Sequence, residues 1–298
     1  MKLLKIALVH RISPRAGKNR MIGWWSYPVS GMVWDHIPVD KGFVLNRGLL
    51  GNDYDLIFYE DAKIWGMWKG SETIPIIYHI GDSVLSRSHY MHRVREGKNA
   101  DLLLIEQDQD SRFRRLNKPI ARFGYAVNDR VFKDYGMKKD VDVSFHCRTK
   151  DSPKRAELLG ELKRFCEKRG YTFACGNRYG VDYAKAFNRS KITVNLNRGL
   201  GIRSHRIYDA MGCRTCVVSS PPPAIPDEPA VAGVHYLTYN IEYAKLFEII
   251  DGLMDLGSWE LYADAGYSLV KDKMNWRVRS QQLRTILMRF LVTDWARR

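Results

Sequence analysis

Long apolar runs are missing from this sequence. Nowhere do 18 apolar residues follow one another, which excludes an ordinary membrane-spanning helix. The opening MKLLKIALVHR has only a short apolar core, closed by His10 and Arg11, and reads as a first strand and not as a signal peptide. Cysteine is scarce: five residues, Cys147, Cys166, Cys175, Cys213 and Cys216, odd in number and scattered. That argues against a disulfide framework and fits a reducing, cytoplasmic setting. Cys213 and Cys216 have CxxC spacing, but no second pair completes a zinc site. There is no repeat of 20–50 residues and no low-complexity tract. Acidic residues are the other shortage, 33 against 48 Lys and Arg, so the net charge is +15.

What is present is enough for a packed core: 298 residues, 45% hydrophobic and 27% charged. This length predicts two domains. The positive charge peaks mid-chain, with 16 basic and 6 acidic residues in 148–214. A field of this sign attracts phosphates, whether of nucleotides, nucleic acids or anionic lipid head groups; a solvated basic surface is the plainer alternative.

Short apolar runs alternate with polar or helical stretches. Leu3–Val9, Leu56–Tyr59, Pro75–Ile80, Leu102–Glu106 and Ile120–Tyr125 read as buried parallel strands. Residues 11–50 contain Pro14, Gly17, Gly23, Pro28, Gly31 and Pro38, and read as a long loop region. A second series starts near 141, with strands at 141–147, 171–175, 192–196 and 215–219. Its helices are expected at 154–169, 182–188, 204–211, 240–256 and 259–274, with a last helix over 277–295. Two βα series joined near 126–140 predict a two-domain α/β protein with a cleft between the domains.

The stretch 195–220, NLNRGLGIRSHRIYDAMGCRTCVVSS, carries the most chemistry. A glycine-rich loop bearing Arg198, Arg203 and Arg206 leads into a helix whose N-terminus would favour a phosphate. One turn in, Asp209 is suited to accept hydrogen bonds from ribose hydroxyls. Physically this is a nucleotide or sugar-nucleotide cradle; a basic helix start without a ligand is the competing reading. RIYDAMGC followed by a strand and the Pro221–Pro223 loop resembles the donor-binding signature of GT-B glycosyltransferases, nearest to the CgeB-type and group 1 branches. FGYAVNDRVF (123–132) is similar to that family's interdomain segment, DVSFHCR (142–148) to its first donor-domain strand, and 265–279 to its C-terminal helices.

The resemblance implies a GT-B fold, two Rossmann-like domains facing a cleft: an acceptor-side domain over 1–125, a donor domain over 126–278, and a C-terminal helix over 279–298 returning to the first. It implies that Arg148, with Lys154 or Arg155 and Arg203 or Arg206, neutralises the donor diphosphate. Asp209 stands where the family usually has Glu, Asn177 and Tyr179 approach the base, and Asn197 and Tyr208 complete the donor set. The co-substrate is a nucleotide-sugar, expected to be UDP-linked, with no cofactor and no obligatory metal. Arg and Lys suffice to stabilise a departing diphosphate. The three Asp-x-Asp triplets (Asp53/Asp55, Asp108/Asp110, Asp140/Asp142) lie at strand edges and read as turns.

A general base beside the acceptor hydroxyl is sought at Asp82, just past the run 75–80, or at His79 within it. Asp82 also fits a helix N-cap. Basic and aromatic residues interleave in the first half, and Trp24, Arg87, Arg93, Arg95, Arg112, Arg114 and Arg115 are the candidate acceptor contacts. They suggest a polyanionic acceptor, DNA carrying a hydroxymethylated base, with precedent among bacteriophage GT-B enzymes; the setting would then be the host cytoplasm. A lipid-linked or surface glycan, met through the charge and the apolar face of the last helix, is the alternative. A non-catalytic nucleic-acid-binding protein is the third.

Overall fold

A computed structural model describes residues 3–11, 31–39, 44–60, 67–69, 74–80, 87–106, 113–147, 152–197, 204–225, 228–240 and 243–296. The chain divides into unit 1, Met1–Tyr125 with Arg277–Arg298, and unit 2, Ala126–Trp276. Each is a parallel sheet with helices, the two-domain α/β architecture expected from the sequence.

In unit 1 the strands β1 (Leu4–Arg11), β2 (Met32–Val39), β4 (Leu56–Glu60), β6 (Ile76–Ile80), β7 (Leu102–Ile105) and β8 (Ile120–Arg122) form one sheet in the order β2-β1-β4-β6-β7-β8. Every pairing is parallel. The β6 and β7 runs are buried throughout, as continuous apolar strands covered on both faces must be. Two short strands, β3 (Val44–Asn46) and β5 (Met67–Lys69), pair separately. The short helix α1 (Arg47–Leu50) brings Arg47 to a buried ion pair with Asp101, and its Nε donates to the Ile74 carbonyl at 2.6 Å. The helix α2 (Arg87–Gly97) follows β6.

One expectation fails here. The span 11–50 is not simply a loop, because β2, β3 and α1 lie in it. β2 is an edge strand, the position in a sheet where a proline such as Pro38 is tolerated, and Asp35 and His36 are exposed. Those residues broke the apolar run that would have marked a strand.

Unit 2 has β9 (Val141–Phe145), β10 (Phe173–Cys175), β11 (Ser190–Asn195), β12 (Cys216–Ser219) and β13 (Leu237–Thr238) in the order β10-β9-β11-β12-β13, again all parallel. The order reverses at β9, whose neighbours β10 and β11 run to either side. At such a switch point the carboxyl ends of the strands leave a crevice for a ligand. Helix α3 (Pro153–Arg169) buries Leu158, Leu162 and Cys166 on one stripe and ends at Gly170, which takes the left-handed conformation (φ 71°). Helices α4 (Gly180–Asn188), α5 (Arg206–Gly212), α6 (Tyr243–Asp255) and α7 (Trp259–Leu269) complete the layers. Phe165 of α3 stacks on Phe247 of α6 with centroids 4.4 Å apart.

Helix α8 (Trp276–Phe290), nearly all of it in unit 1, buries Leu283, Leu287 and Phe290. The Arg47 guanidinium lies over the Trp295 ring, 5.7 Å from its centroid.

Candidate functional site

The crevice at the β9 switch point is built from four chain segments. His146 and Cys147 follow β9, Asn177–Gly180 lead into α4, Tyr183 lies one turn along α4, and Arg206 and Asp209 face the space from α5. With Phe132 they line a cavity of about 290 Å³ within unit 2.

Helix α5 is seven residues long, and Ile207 through Gly212 are buried. Close packing holds it there. A Cβ on Gly212 would stand 2.8 Å from the Phe132 carbonyl, and one on Gly266 of α7 would stand 2.8 Å from Met211 Cγ. Two turns of helix make a small dipole, so the phosphate attraction expected of the helix start falls to side chains. Arg206 supplies it. Its Nε donates to the Tyr183 hydroxyl at 2.9 Å and its Nη1 to Asn195 Oδ1 at 2.7 Å. Those two bonds fix the guanidinium plane, and Nη2 remains for a ligand.

Asn195, at the end of β11, is held in turn. Its amide donates to Ser219 Oγ at 2.9 Å, and its carbonyl accepts from the Tyr239 hydroxyl at 3.3 Å. Asn197 ties the next loop, accepting from the Ser204 amide at 3.1 Å and donating to the Ser220 carbonyl. Asp209, three residues after Arg206 and hence on the same face, is 7% exposed and borders the cavity.

Burial governs the titration of this site. It pushes the Tyr183 hydroxyl well up; the positive charge of Arg206 opposes the shift and the negative charge of Asp209 adds to it. Cys147 is pushed up as well, chiefly by burial. His146 is lowered to about 4 by burial, then by Arg178 and Arg206, with a backbone contribution from Gly176 opposing. The pocket therefore holds cationic guanidinium groups, a neutral imidazole and protonated Tyr and Cys at neutral pH.

Of the residues singled out from sequence, Asn177, Tyr179, Arg206 and Asp209 come together on this cavity. Asn177 donates to the Tyr179 hydroxyl at 2.9 Å, and Tyr179 is 70% exposed at the rim. Asn197 positions the loop instead of lining the space. Arg155 is half-buried and directed at the Leu196 carbonyl, 3.4 Å away, while Lys154 is exposed on the first turn of α3. Tyr208 is a correction: at 2% exposure it is a core residue and is not among those lining the cavity. Arg148 and Arg203 lie outside the described residues.

In unit 1, His79 is 5% exposed, its ring 6.0 Å from Phe58 and 6.4 Å from Phe123, so it is packed in the sheet layer and not presented as a base. Arg93 is 2% exposed and is no surface contact, because its place on α2 turns it inward. Arg95, Arg114 and Arg115 are exposed, and Arg115 lies over Tyr90, 4.8 Å from the ring centroid. Trp24, Asp82 and Arg112 lie outside the described residues, as does the side chain of Arg87.

Sequence reasoning missed His146, Tyr183 and Asn195. His146 and Asn195 share one signal: each is a polar residue at the carboxyl end of a parallel strand. Among the described residues no group of three or more His, Cys, Asp or Glu is placed to hold a metal ion. Asp140 pairs with Arg189 and Asp142 with Lys191 and Thr172, while Asp55 accepts from the Lys5 amide at 2.8 Å, so these acidic residues secure strand ends.

Residues 145–285 match the family model described as "Glycosyl transferase-like". No curated protein matches the chain. Among solved structures, Anabaena HepE in complex with UDP is similar over 96% of this chain and 100% of its own, at 12% identity and a TM-score of 0.65. Sucrose-phosphate synthase from Thermosynechococcus elongatus is similar over 98% and 100%, at 12% identity and a TM-score of 0.62. A glycosyltransferase from Rickettsia africae is similar over 99% and 100%, at 9% identity and a TM-score of 0.62. The solved structures give the chain the GT-B fold, and its residues 145–285 are similar to the glycosyl transferase-like family.

Proposed function

We propose that the chain transfers a sugar from a UDP-linked donor, bound in the unit 2 crevice, to an acceptor hydroxyl carried by DNA. The observation that carries the donor half is the Arg206 lattice: a guanidinium fixed by Tyr183 and Asn195, one helical turn from Asp209, at the carboxyl ends of parallel strands. Similarity to Anabaena HepE, solved with UDP and also with UDP-glucose, supports the choice of nucleotide.

In this reading Asp209 accepts hydrogen bonds from the ribose hydroxyls. Arg206 Nη2 and Arg178 face the diphosphate. As the bond between the sugar carbon and the phosphate oxygen breaks, negative charge grows on the departing UDP. Fixed guanidinium groups stabilise that charge without having to reorganise. The Arg206 pair to Tyr183 and Asn195 is what removes the reorganisation. A base beside the acceptor then takes the hydroxyl proton. Asp82 keeps that role as a candidate; His79, enclosed between Phe58 and Phe123, does not.

The acceptor half rests on charge. The chain carries +15, and Arg95, Arg114 and Arg115 are exposed on unit 1 with Tyr90 under Arg115. A hydroxymethylated base supplies its own nucleophilic oxygen, so unmodified duplex is expected to bind and not react. The membrane-glycan alternative keeps the charge but not the apolar helix face, because Leu283, Leu287 and Phe290 of α8 are buried.

The test incubates the protein with UDP-sugars and with DNA containing hydroxymethylcytosine or hydroxymethyluracil, then digests to nucleosides for mass spectrometry. A hexose or pentose adduct is the expected result. Donor turnover without any adduct would overturn the DNA acceptor and leave the donor site standing. Asp209→Ala should weaken UDP binding by about 1–3 kcal/mol, the cost of losing a charged hydrogen-bond partner. Unchanged affinity by calorimetry would remove Asp209 from the site.

A further inference from the structure

A second cavity in unit 2 adjoins the crevice and measures about 240 Å³. One face of α4 and the residue that caps it form a wall, with Asp182, Lys185 and Arg189 three and then four positions apart. Val141 of β9 and Ala174 of the edge strand β10 add apolar surface. Arg178, in the loop before α4, lines this cavity and the 290 Å³ one, as His146 does.

The charges here outnumber their partners. Among the described residues, the side chains of Arg178, Asp182 and Lys185 make no hydrogen bond and no ion pair. Arg189 is held by Asp140, Nε to Oδ1 at 2.8 Å and Nη2 to Oδ2 at 2.7 Å, so its Nη1 is left over. Charged side chains scattered over a convex surface need no explanation. Cations without partners that share one small concave space repel one another until an anion enters.

The groups present narrow the choice of anion. A phosphate monoester carries about 1.5 to 2 negative charges at neutral pH and has several acceptor oxygens, enough for more than one cation. Arg meets it with a planar fork and Lys with a point charge. Asp182 repels a bare phosphate but accepts a hydrogen bond from a hydroxyl. The apolar surface of Val141 and Ala174 suits a short carbon skeleton.

We propose that this cavity is a regulatory site for a small polyol phosphate: Arg178, Lys185 and Nη1 of Arg189 hold the phosphate, Asp182 takes a hydroxyl, and an occupied site draws Arg178 off the donor diphosphate. The site stands on these residues alone; its effect on the donor rests on the reading of the crevice as the donor site. One guanidinium cannot serve two anions at once, and two anions close together repel. Each ligand therefore weakens the other, and by the same factor.

Calorimetry at low salt on the full chain tests this with glycerol 3-phosphate, inorganic phosphate, glycerol and UDP. Glycerol 3-phosphate should bind, inorganic phosphate about tenfold more weakly for want of the hydroxyl contact, and glycerol not measurably. Lys185→Glu reverses a charge that lines the second cavity and not the first; Lys185 is exposed, so the exchange disturbs no packing. It should weaken glycerol 3-phosphate by about tenfold and leave UDP affinity and melting temperature unchanged. Arg206→Ala, on the donor side, should weaken UDP and leave glycerol 3-phosphate alone. Saturating UDP should weaken glycerol 3-phosphate by about fivefold or more, and the reverse titration should give the same factor. A wild type that does not bind glycerol 3-phosphate, or binding indifferent to Lys185→Glu, would overturn the site. Equal affinity for inorganic phosphate would overturn the polyol ester as its ligand. Independent binding of the two ligands would overturn the regulatory coupling and leave the donor reading intact. A wild type that binds glycerol 3-phosphate but not UDP would overturn the donor reading and leave the site standing.

Discussion

At the scale of single residues, the unit 2 crevice concentrates side chains whose protonation is set by burial. His146, lowered to about 4, has the clearest consequence. The free imidazole titrates near 6.5, so between about pH 4 and 6.5 the unfolded chain holds a proton that the folded chain refuses. Stability is then complete above pH 6.5 and is lost as pH falls toward 4, at up to about 1.4 kcal/mol per pH unit for this one group. Urea unfolding of wild type and His146→Phe across that range should show a shallower acid slope in the variant, with Arg178, Arg206, Tyr183 and Cys147 unchanged around it. Tyr183→Phe tests the lattice instead. It removes the acceptor for Arg206 Nε and the donor to the His146 carbonyl, so UDP affinity should fall while overall stability changes by about 1–2 kcal/mol, the usual net worth of two hydrogen bonds. Equal UDP affinity in Tyr183→Phe would mean that the guanidinium does not need that anchor. Arg206, Asp209, Asn177 and Tyr179 were legible in the sequence because a glycine-rich loop and a resemblance framed them. His146 and Tyr183 were not, since one reads as the end of a strand and the other as the apolar face of a short helix.

At the scale of elements, the strands buried on both faces were readable because a continuous apolar run survives there, and the partly exposed β8 and β10 were read from shorter runs. The runs at 56–60, 76–80 and 102–105 are of the first kind. β2 escaped notice because an edge position tolerates Pro38 and exposes Asp35 and His36, and patterning cannot separate such a strand from a loop. The glycines of α5 and α7 act at this scale too. Gly212→Ala and Gly266→Ala each push a methyl group to within 2.8 Å of neighbouring atoms, a carbonyl oxygen in one case and the Met211 side chain in the other. Overpacking of this sort costs about 1–3 kcal/mol. The expected order is Gly212→Ala the more damaging, because a backbone carbonyl yields less readily than a methionine; thermal unfolding of the two variants checks it. UDP affinity should drop with Gly212→Ala as α5 shifts Arg206 and Asp209 together.

At the scale of the whole molecule, the charge of +15 makes a prediction independent of any single contact. Duplex DNA should bind with an affinity that falls steeply with salt, since each neutralised phosphate releases counterions at about 0.9 per contact. Reversing Arg95, Arg114 and Arg115 to Glu should flatten that slope and leave UDP binding alone; filter binding across a salt series reads it. The division of the chain has a consequence in time as well as in space. Unit 2 is one continuous stretch, 126–276, whereas unit 1 is assembled from 1–125 and from 277–298, with Leu283, Leu287 and Phe290 of α8 buried and Arg47 lying over Trp295. A ribosome thus delivers the first strands of unit 1 long before the last helix of that unit, and unit 2 is complete while unit 1 still waits for its last segment. Order of synthesis and order of completion are opposed: the half that starts first is finished last.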